Sequence, residues 1–196
     1  MDKISYSLGM GIGQNLLGMG ATDISIEDFA KGVEDILQSK KPAIDHKEAQ
    51  IIVSQYIDEL DKKMTAARKK ANKEFLDANK QRKEVVTLPS GLQYEVLNEG
   101  KANGAHPKAT DKVECHYEGR LLDGTVFDSS IQRGQPAVFG VNQVIQGWVE
   151  ALQLMPEGAK WRLFIPDNMA YGEHGAGNSI PPYSALIFDV ELLHIL

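Results

Sequence analysis

The apolar positions of residues 1–84 follow a helical period. The first predicted helix has an apolar residue at every fourth position, which gives one continuous stripe: Ile4, Leu8, Ile12 and Leu16. Gly9 and Gly13 are also four positions apart and would let another helix approach closely. Because glycine costs about 1 kcal/mol relative to alanine inside a helix, we expect tertiary contacts to offset these residues.

Capping signals predict where the next two helices begin. Ser25, with Asp28 three positions later, marks the start of a second helix that ends before Pro42. Asp45, with Glu48 three positions later, marks the start of the third.

The third predicted helix is long. No Gly or Pro follows its start until Pro89, so it can extend to Lys83 and then spans roughly 58 Å at 1.5 Å per residue. Its first half carries apolar residues at helical spacing: Ile52, Tyr56, Ile57, Leu60 and Met64. Its second half is mostly charged, with Phe75 and Leu76 as exceptions, so we expect it to be a solvated spacer.

The N-terminal helices are too few to form a large core alone, and oligomerisation is a common remedy. We therefore expect residues 1–44 to form a helical dimerisation region. The first half of the connecting helix at 45–84 would complete the dimer core, and residues 85–196 would form a second domain. The alternative is a helical appendage folded against its own C-terminal domain.

From residue 85 onward, alternation with a period of two replaces the helical period, and Gly and Pro become frequent. Val113, Cys115 and Tyr117 point to one side of a predicted strand, and similar alternation recurs at 161–165 and 186–192. One short helix is predicted near 145–152, between strands. We predict an α+β fold: N-terminal helices and a long helix, then a curved antiparallel sheet wrapped around one short helix.

Charge is distributed unevenly between the two halves of the chain. Residues 1–84 carry 14 Lys/Arg and 14 Asp/Glu, whereas residues 85–196 carry 7 and 13, which accounts for the net charge of −6. An acidic C-terminal half repels a phosphate backbone, so we expect no nucleic-acid partner. No apolar run approaches the ~18–20 residues of a membrane span, so we expect no membrane partner either.

The cysteine and histidine content limits which disulfides and metal sites the chain could form. The single cysteine, Cys115, rules out an intrachain disulfide, which fits a reducing compartment. The N-terminus lacks the basic start and continuous apolar stretch of a secretory signal. We expect a cytoplasmic location, with the periplasm as the alternative if a signal peptide was removed. The 5 histidines are scattered without ligand-like pairing, so we expect neither a metal nor a cofactor.

Five C-terminal segments supply apolar and aromatic side chains to one concave site, with a single acid near it and no nucleophile–base pair: GTVFDSS at 124–130, VIQGW at 144–148, AYG at 170–172, IPP at 180–182 and LIFDVEL at 186–192. That inventory suits a reaction that needs a dry pocket and no covalent chemistry. These motifs, in this order, resemble those of the FKBP-type peptidyl-prolyl cis–trans isomerases, over residues from about 88 to 196. The whole chain is similar to the bacterial homodimeric Mip/FKBP22-like (FklB-like) members.

The resemblance implies a role for each pocket residue. Trp148 would form the floor beneath a proline ring. The walls would come from Tyr117, Phe127, Phe139, Val144, Ile145 and Phe188. The backbone N–H of Ile145 and the hydroxyl of Tyr171 would each hold a substrate carbonyl.

The resemblance also implies which residues form the edge of the pocket and which belong to the loop over its mouth. Asp128 would lie at the pocket edge, braced by Arg133, although an Asp before two serines can also simply cap a turn. Ile180 would belong to the loop over the mouth. The catalytic set is then Tyr117, Phe127, Asp128, Tyr171 and Phe188, and the binding set is Phe139, Val144, Ile145, Trp148, Ile180 and Arg133. Three positions are smaller or more polar than in well-known single-domain members: Ala137, Ala176 and Ser179.

Two functions are compatible with the sequence. The resemblance implies an enzyme that accelerates isomerisation of X–Pro bonds during folding. It would be a homodimer that joins through its N-terminal helices and acts on unfolded or proline-containing polypeptides, with FK506- or rapamycin-type macrolides as ligands. The alternative is a non-catalytic holdase dimer that grips unfolded chains, motivated by the apolar surface expected of the helical region.

Overall fold

The computed structural model describes all residues, 1–196. The chain divides into two compact units, residues 1–67 and residues 68–196. The boundary falls inside the long third helix. The division at residues 44 and 84 expected from the sequence stays a prediction.

The first unit contains two short helices and the start of a long one. α1 spans Lys3–Gly18, α2 spans Ile26–Leu37 and α3 spans His46–Asn79. The predicted caps are present: Ser25 Oγ accepts a hydrogen bond from the Asp28 N–H at 3.3 Å, and Asp45 Oδ1 accepts from the Glu48 N–H at 2.9 Å. These bonds satisfy N–H groups that the first helical turn leaves without partners.

Most apolar side chains of the first unit are exposed. Only Ala21 and Leu60 are buried apolar residues among residues 1–67. The exposed apolar side chains include much of the predicted α1 stripe and parts of the other two helices: Ile4, Leu8, Ile12, Phe29, Val33, Ile36, Ile52 and Val53. An added Cβ at Gly9 or Gly13 would meet nothing within 4 Å. The tertiary contacts expected at these glycines are therefore absent within the single chain.

The last third of α3 differs from the expected solvated spacer. The helix ends at Asn79, before the predicted Lys83. The ring of Phe75 lies 5.9 Å from the ring of Phe164, and Asn72 and Asn79 are only 6% and 5% exposed. The expectation was wrong because neutral amides and one aromatic ring, spaced along one face, bury that face while the charged residues cover the other.

The second unit is built on one antiparallel sheet. Its strands are β1 (Val85–Thr87), β2 (Gln93–Asn98), β3 (Lys112–Leu121), β4 (Val126–Ser129), β5 (Ala137–Gly140), β6 (Lys160–Ile165) and β7 (Leu186–Ile195). The strand order is β1-β2-β6-β7-β3-β4, and β5 also pairs with β3. The predicted short helix is present as α4 (Gln146–Leu154).

One face of the sheet and α4 enclose the core. Val113, Cys115 and Tyr117 of β3 are buried, and the intervening residues are only partly buried, as the alternation predicted. Burial raises the pKa of the Cys115 thiol to about 12. None of the four α-helices combines the length and hydropathy that a membrane crossing requires.

A buried amide pair joins α3 to the sheet. Asn79 Nδ2 donates to Gln93 Oε1 at 2.9 Å, and Gln93 Nε2 donates to the carbonyl oxygen of Leu76 at 2.9 Å. Both side chains are buried, so each needs the other to satisfy its polar atoms.

We predict that Asn79→Ala lowers the free energy of unfolding by about 1–3 kcal/mol, because it leaves Gln93 Oε1 buried without a donor. Chemical denaturation of both proteins measures this difference. Glu74→Ala, at an exposed position of the same helix, is the control and should change the stability little. An Asn79→Ala protein as stable as the wild type would contradict the buried-pair assignment.

Candidate active site

A cavity of about 580 Å³ opens between α4, the sheet and the loops before β7. Its lining contains ten of the eleven residues named from the sequence: Tyr117, Phe127, Asp128, Phe139, Val144, Ile145, Trp148, Tyr171, Ile180 and Phe188. The eleventh, Arg133, lies beside the cavity, where it pairs with Asp128. The volume falls in the range of roughly 300–1,000 Å³ that is typical of ligand pockets.

The floor is an indole held by three other rings. Trp148 on α4 is 4% exposed. The rings of Tyr117, Phe139 and Phe188 meet it edge to face, with centroids 5.4, 5.6 and 5.3 Å away. This is the arrangement that the charge distribution of aromatic rings favours. The indole Nε1 is buried and has no hydrogen-bond partner in the protein.

The position of Trp148 depends on a close approach between α4 and the sheet. Gly147 immediately precedes Trp148, and a Cβ there would lie 2.5 Å from Ile165 Cγ2. The absence of a side chain at this position lets the first turn of α4 rest directly on β6. The indole is thereby held against the concave face of the sheet.

Three polar side chains form the edge of the cavity. The Tyr117 hydroxyl donates to Asp128 Oδ2 at 2.6 Å, and Arg133 Nη2 donates to the Tyr117 oxygen at 2.8 Å. Arg133 Nη1 also donates to Asp128 Oδ1. Burial alone would raise the pKa of Asp128, but the hydrogen bonds from Tyr117 and Arg133 and the charge of Arg133 outweigh it, so the pKa lies below its ordinary value.

Two hydrogen-bond donors at the cavity have no protein acceptor. The backbone N–H of Ile145 and the hydroxyl of Tyr171 donate no hydrogen bond within the structure. Tyr171 is 39% exposed. Burial, followed by the negative charge of Asp128, raises the pKa of Tyr171, so its phenol keeps its proton at neutral pH.

The rim of the cavity is a tight turn. The N–H of Ala176 donates to the carbonyl of Ile180 at 2.8 Å, and the N–H of Ile180 donates back at 3.1 Å. Ala176 and Ser179 both line the cavity, whereas Ala137 packs against the core instead. Two of the three positions flagged from the sequence therefore face the space that a ligand would occupy.

Sequence reasoning missed two residues of the site. Gln143 lines the cavity from the short 3₁₀ turn before α4, and no sequence signal indicated it. Gly119 of β3 lies behind the walls, where a Cβ would come within 2.5 Å of Phe188 Cε1 and 2.6 Å of Phe127 Cζ. An isolated glycine inside a strand pattern was the available signal, because it often marks a close approach.

The structure contains no group of three or more His, Cys, Asp or Glu side chains placed to hold a metal ion. The lining offers an apolar surface, the ionised carboxylate of Asp128 and two neutral donors that have no protein acceptor.

Comparison with known proteins identifies the family. Residues 103–193 match the family model described as FKBP-type peptidyl-prolyl cis-trans isomerase, and residues 1–96 match the domain amino terminal to it. The FKBP-type 22 kDa peptidyl-prolyl cis-trans isomerase of Escherichia coli strain K12 is 45% identical, with 99% of this chain and 95% of that protein covered. The chain belongs to the FKBP-type peptidyl-prolyl cis–trans isomerase family.

The likeness to FKBP-type proteins extends through the N-terminal helices. The outer membrane protein MIP of Legionella longbeachae is 40% identical, covering 99% of this chain and 85% of that protein. The crystal structure of FkpA from Escherichia coli has a TM-score of 0.74 and 32% identity, and covers 98% of this chain and 95% of that one. The predicted fold and family are both confirmed.

We predict that Gly119→Ala reduces isomerase activity by about tenfold or more, because the new methyl group displaces the rings of Phe127 and Phe188 into the cavity. The measurement is kcat/KM on a proline-containing peptide. Gly124→Ala is an unsuitable control because its φ of 88° is strained for alanine. Val138→Ala, at an exposed position of β5, serves instead and should retain activity. Full activity in Gly119→Ala would show that the two rings tolerate displacement.

Proposed function

We propose that this cavity catalyses rotation about X–Pro peptide bonds by binding the twisted amide without covalent chemistry. The observation that carries the proposal is an open, largely apolar cavity with a buried indole as its floor. A proline ring placed on Trp148 would be enclosed by the surrounding rings while the flanking chain turns.

The physical basis is the polarity of the planar amide. Resonance gives the C–N bond partial double-bond character and a rotation barrier of ~18–20 kcal/mol. Resonance also separates charge between oxygen and nitrogen, and water stabilises that charge separation. The twisted transition state has lost it. An apolar cavity therefore disfavours the planar form relative to the twisted form, which lowers the barrier.

The free donors would orient the substrate. In this proposal the Ile145 N–H donates to one substrate carbonyl, and the Tyr171 hydroxyl donates to a second. Phe127, Phe188 and Phe139 confine the ring. Both donors lack competing acceptors in the protein, so binding would displace only water.

No proton transfer is required. The pKa of Asp128 is lowered, and burial raises the pKa of Tyr117 and Tyr171, so none of the three changes charge near pH 7. Only as the pH falls through the lowered pKa of Asp128 would the carboxylate become protonated and its bonds to Tyr117 and Arg133 weaken. We therefore assign Asp128 and Arg133 to shaping the edge of the cavity.

We predict that the full chain accelerates cis–trans exchange in a Leu-Pro peptide. Phe188→Ala should lower kcat/KM by about tenfold or more by removing a wall, and Tyr171→Phe should lower it by about threefold to tenfold by removing one neutral hydrogen bond. Tyr171→Phe carries little risk of unfolding, because its ring is retained and partly exposed. Absence of wild-type activity would refute the proposal.

The cavity also suits an FK506- or rapamycin-type macrolide, which would occupy the place of the proline ring. The small residues Ala176 and Ser179 at the rim leave less apolar contact for such a ligand. Competition between the macrolide and the peptide substrate in the same assay would locate binding at this cavity.

We further propose that the first unit joins two copies of the chain. The support is its large exposed apolar surface together with the match of residues 1–96 to the domain that precedes FKBP-type isomerases. Burying such surface is the general driving force for association. Two cavities in one assembly would raise the effective concentration of a long unfolded client at the second cavity.

We predict that the double substitution Leu8→Glu and Ile12→Glu on α1 converts the dimer to a monomer in sedimentation velocity, because it would bury two charges without partners. Peptide isomerisation should persist. Gln14→Glu, an exposed polar position of the same helix, adds charge outside the stripe and should leave the dimer intact. A monomeric wild type would contradict the proposal. Suppression of client aggregation that survives Phe188→Ala but is lost in the double variant would instead favour the holdase function.

The location of the protein is also a proposal. The sequence favoured the cytoplasm, with the periplasm as the alternative. The name of the Legionella relative, an outer membrane protein, favours the periplasmic alternative.

A further inference from the structure

We propose that Arg68 and Asn72 of α3 are positioning residues that hold the mouth of the cavity in its binding-competent form. Both lie outside the cavity lining. They act on residues 176–184, which we call the rim segment. The proposal rests on the proposed isomerase function and adds to it a role for the helix that precedes the sheet.

Two side chains of α3 donate to consecutive carbonyls of the rim segment. Arg68 Nη1 donates to the carbonyl oxygen of Pro182 at 2.8 Å, and Asn72 Nδ2 donates to that of Tyr183 at 2.6 Å. Neither carbonyl accepts another hydrogen bond in the structure. Asn72 is buried, so its amide is committed to this contact rather than to water.

Tyr183 adopts a conformation that needs such support. Its φ is 56°, in the left-handed region that a bulky side chain rarely adopts. Three contacts hold it there: the Asn72 bond, a bond from its own N–H to the carbonyl of Gly172 at 2.7 Å, and the ammonium of Lys69, 3.6 Å from the centre of its ring. A strained residue persists only where its surroundings determine it in this way.

This anchor is connected directly to the cavity. Ile180, which lines the cavity, lies two residues before Pro182. Gly172, whose carbonyl accepts from the Tyr183 N–H, follows Tyr171, one of the two free donors of the site. Releasing Tyr183 would therefore loosen both the mouth and the segment that carries the Tyr171 hydroxyl.

The consequence for catalysis is a change in binding. If the rim segment is competent in only a fraction of molecules, the apparent dissociation constant rises by the inverse of that fraction. Once a substrate is bound, the floor and walls are unchanged. Loss of the anchor should thus raise KM more than it lowers kcat.

The test uses the full chain with Arg68→Ala and Asn72→Asp, measured separately for kcat and KM on a Leu-Pro peptide. Asn72→Asp keeps the side-chain volume but replaces the amide donor with a carboxylate oxygen, which cannot donate to the carbonyl of Tyr183. We expect KM to rise by about threefold or more in each variant, while kcat stays within about twofold. Arg68→Lys retains a donor and should restore KM. Lys70→Ala, on the exposed side of α3, should match the wild type.

Hydrogen exchange provides a second readout. The Tyr183 N–H should exchange at least about tenfold faster in both variants, because its bond to Gly172 is loosened, while the amides of β6 should be unaffected. This readout does not depend on activity. If the wild type lacks isomerase activity, the proposed function fails and exchange at Tyr183 still decides whether α3 anchors the rim.

An unchanged KM with unchanged exchange at Tyr183 would overturn the proposal. So would an equal effect of Lys70→Ala, or faster exchange spread uniformly over the sheet. Should Asn72→Asp fail to fold, Arg68→Ala decides alone, since Arg68 is only partly buried and removal of its side chain leaves the helix intact.

Discussion

The packing of one indole against the concave face of an antiparallel sheet is the constraint on which this structure depends. Trp148 contacts Tyr117, Phe139 and Phe188 edge to face, and such pairs contribute about 0.5–1.5 kcal/mol each beyond the area they bury. The same four rings are both part of the hydrophobic core and the lining of the cavity. Fold and site are therefore not separable here, since the side chains that shape the cavity also fix α4 on the sheet.

Most of the second unit could be predicted because its sheet buries one face. Period-two alternation directly reports that geometry, as the buried Cys115 and Tyr117 of β3 illustrate. The exception is Phe164, which is buried between two other buried residues of β6. It breaks the alternation because α3 covers the second face at that point. The burial of Asn72 and Asn79 could not be predicted from the pattern of apolar residues. Each amide is buried because it hydrogen-bonds a specific partner elsewhere in the chain, Tyr183 for Asn72 and Gln93 for Asn79.

The residues of the candidate site that could be predicted are those that the resemblance to the family identifies. Phe127, Asp128 and Phe188 lie within contiguous motifs, and these residues meet at one cavity. Gln143 and Gly119 were missed for different reasons. Gln143 depends on a single 3₁₀ turn, whereas Gly119 contributes only by lacking a side chain. The contacts of Arg68 and Asn72 join segments more than a hundred residues apart, which no local pattern encodes.

The buried thiol of Cys115 is a natural probe of how often the central strands of the sheet separate. Cys115 faces Leu192 of β7 across one ladder and Ala137 of β5 across the other, and is fully enclosed. Only a thiolate attacks an alkylating reagent at an appreciable rate, and a pKa near 12 suppresses that form in the native protein. Alkylation therefore requires β3 to separate from β5 and β7. The rate at which Cys115 is alkylated in the wild-type protein then measures how often this part of the sheet opens.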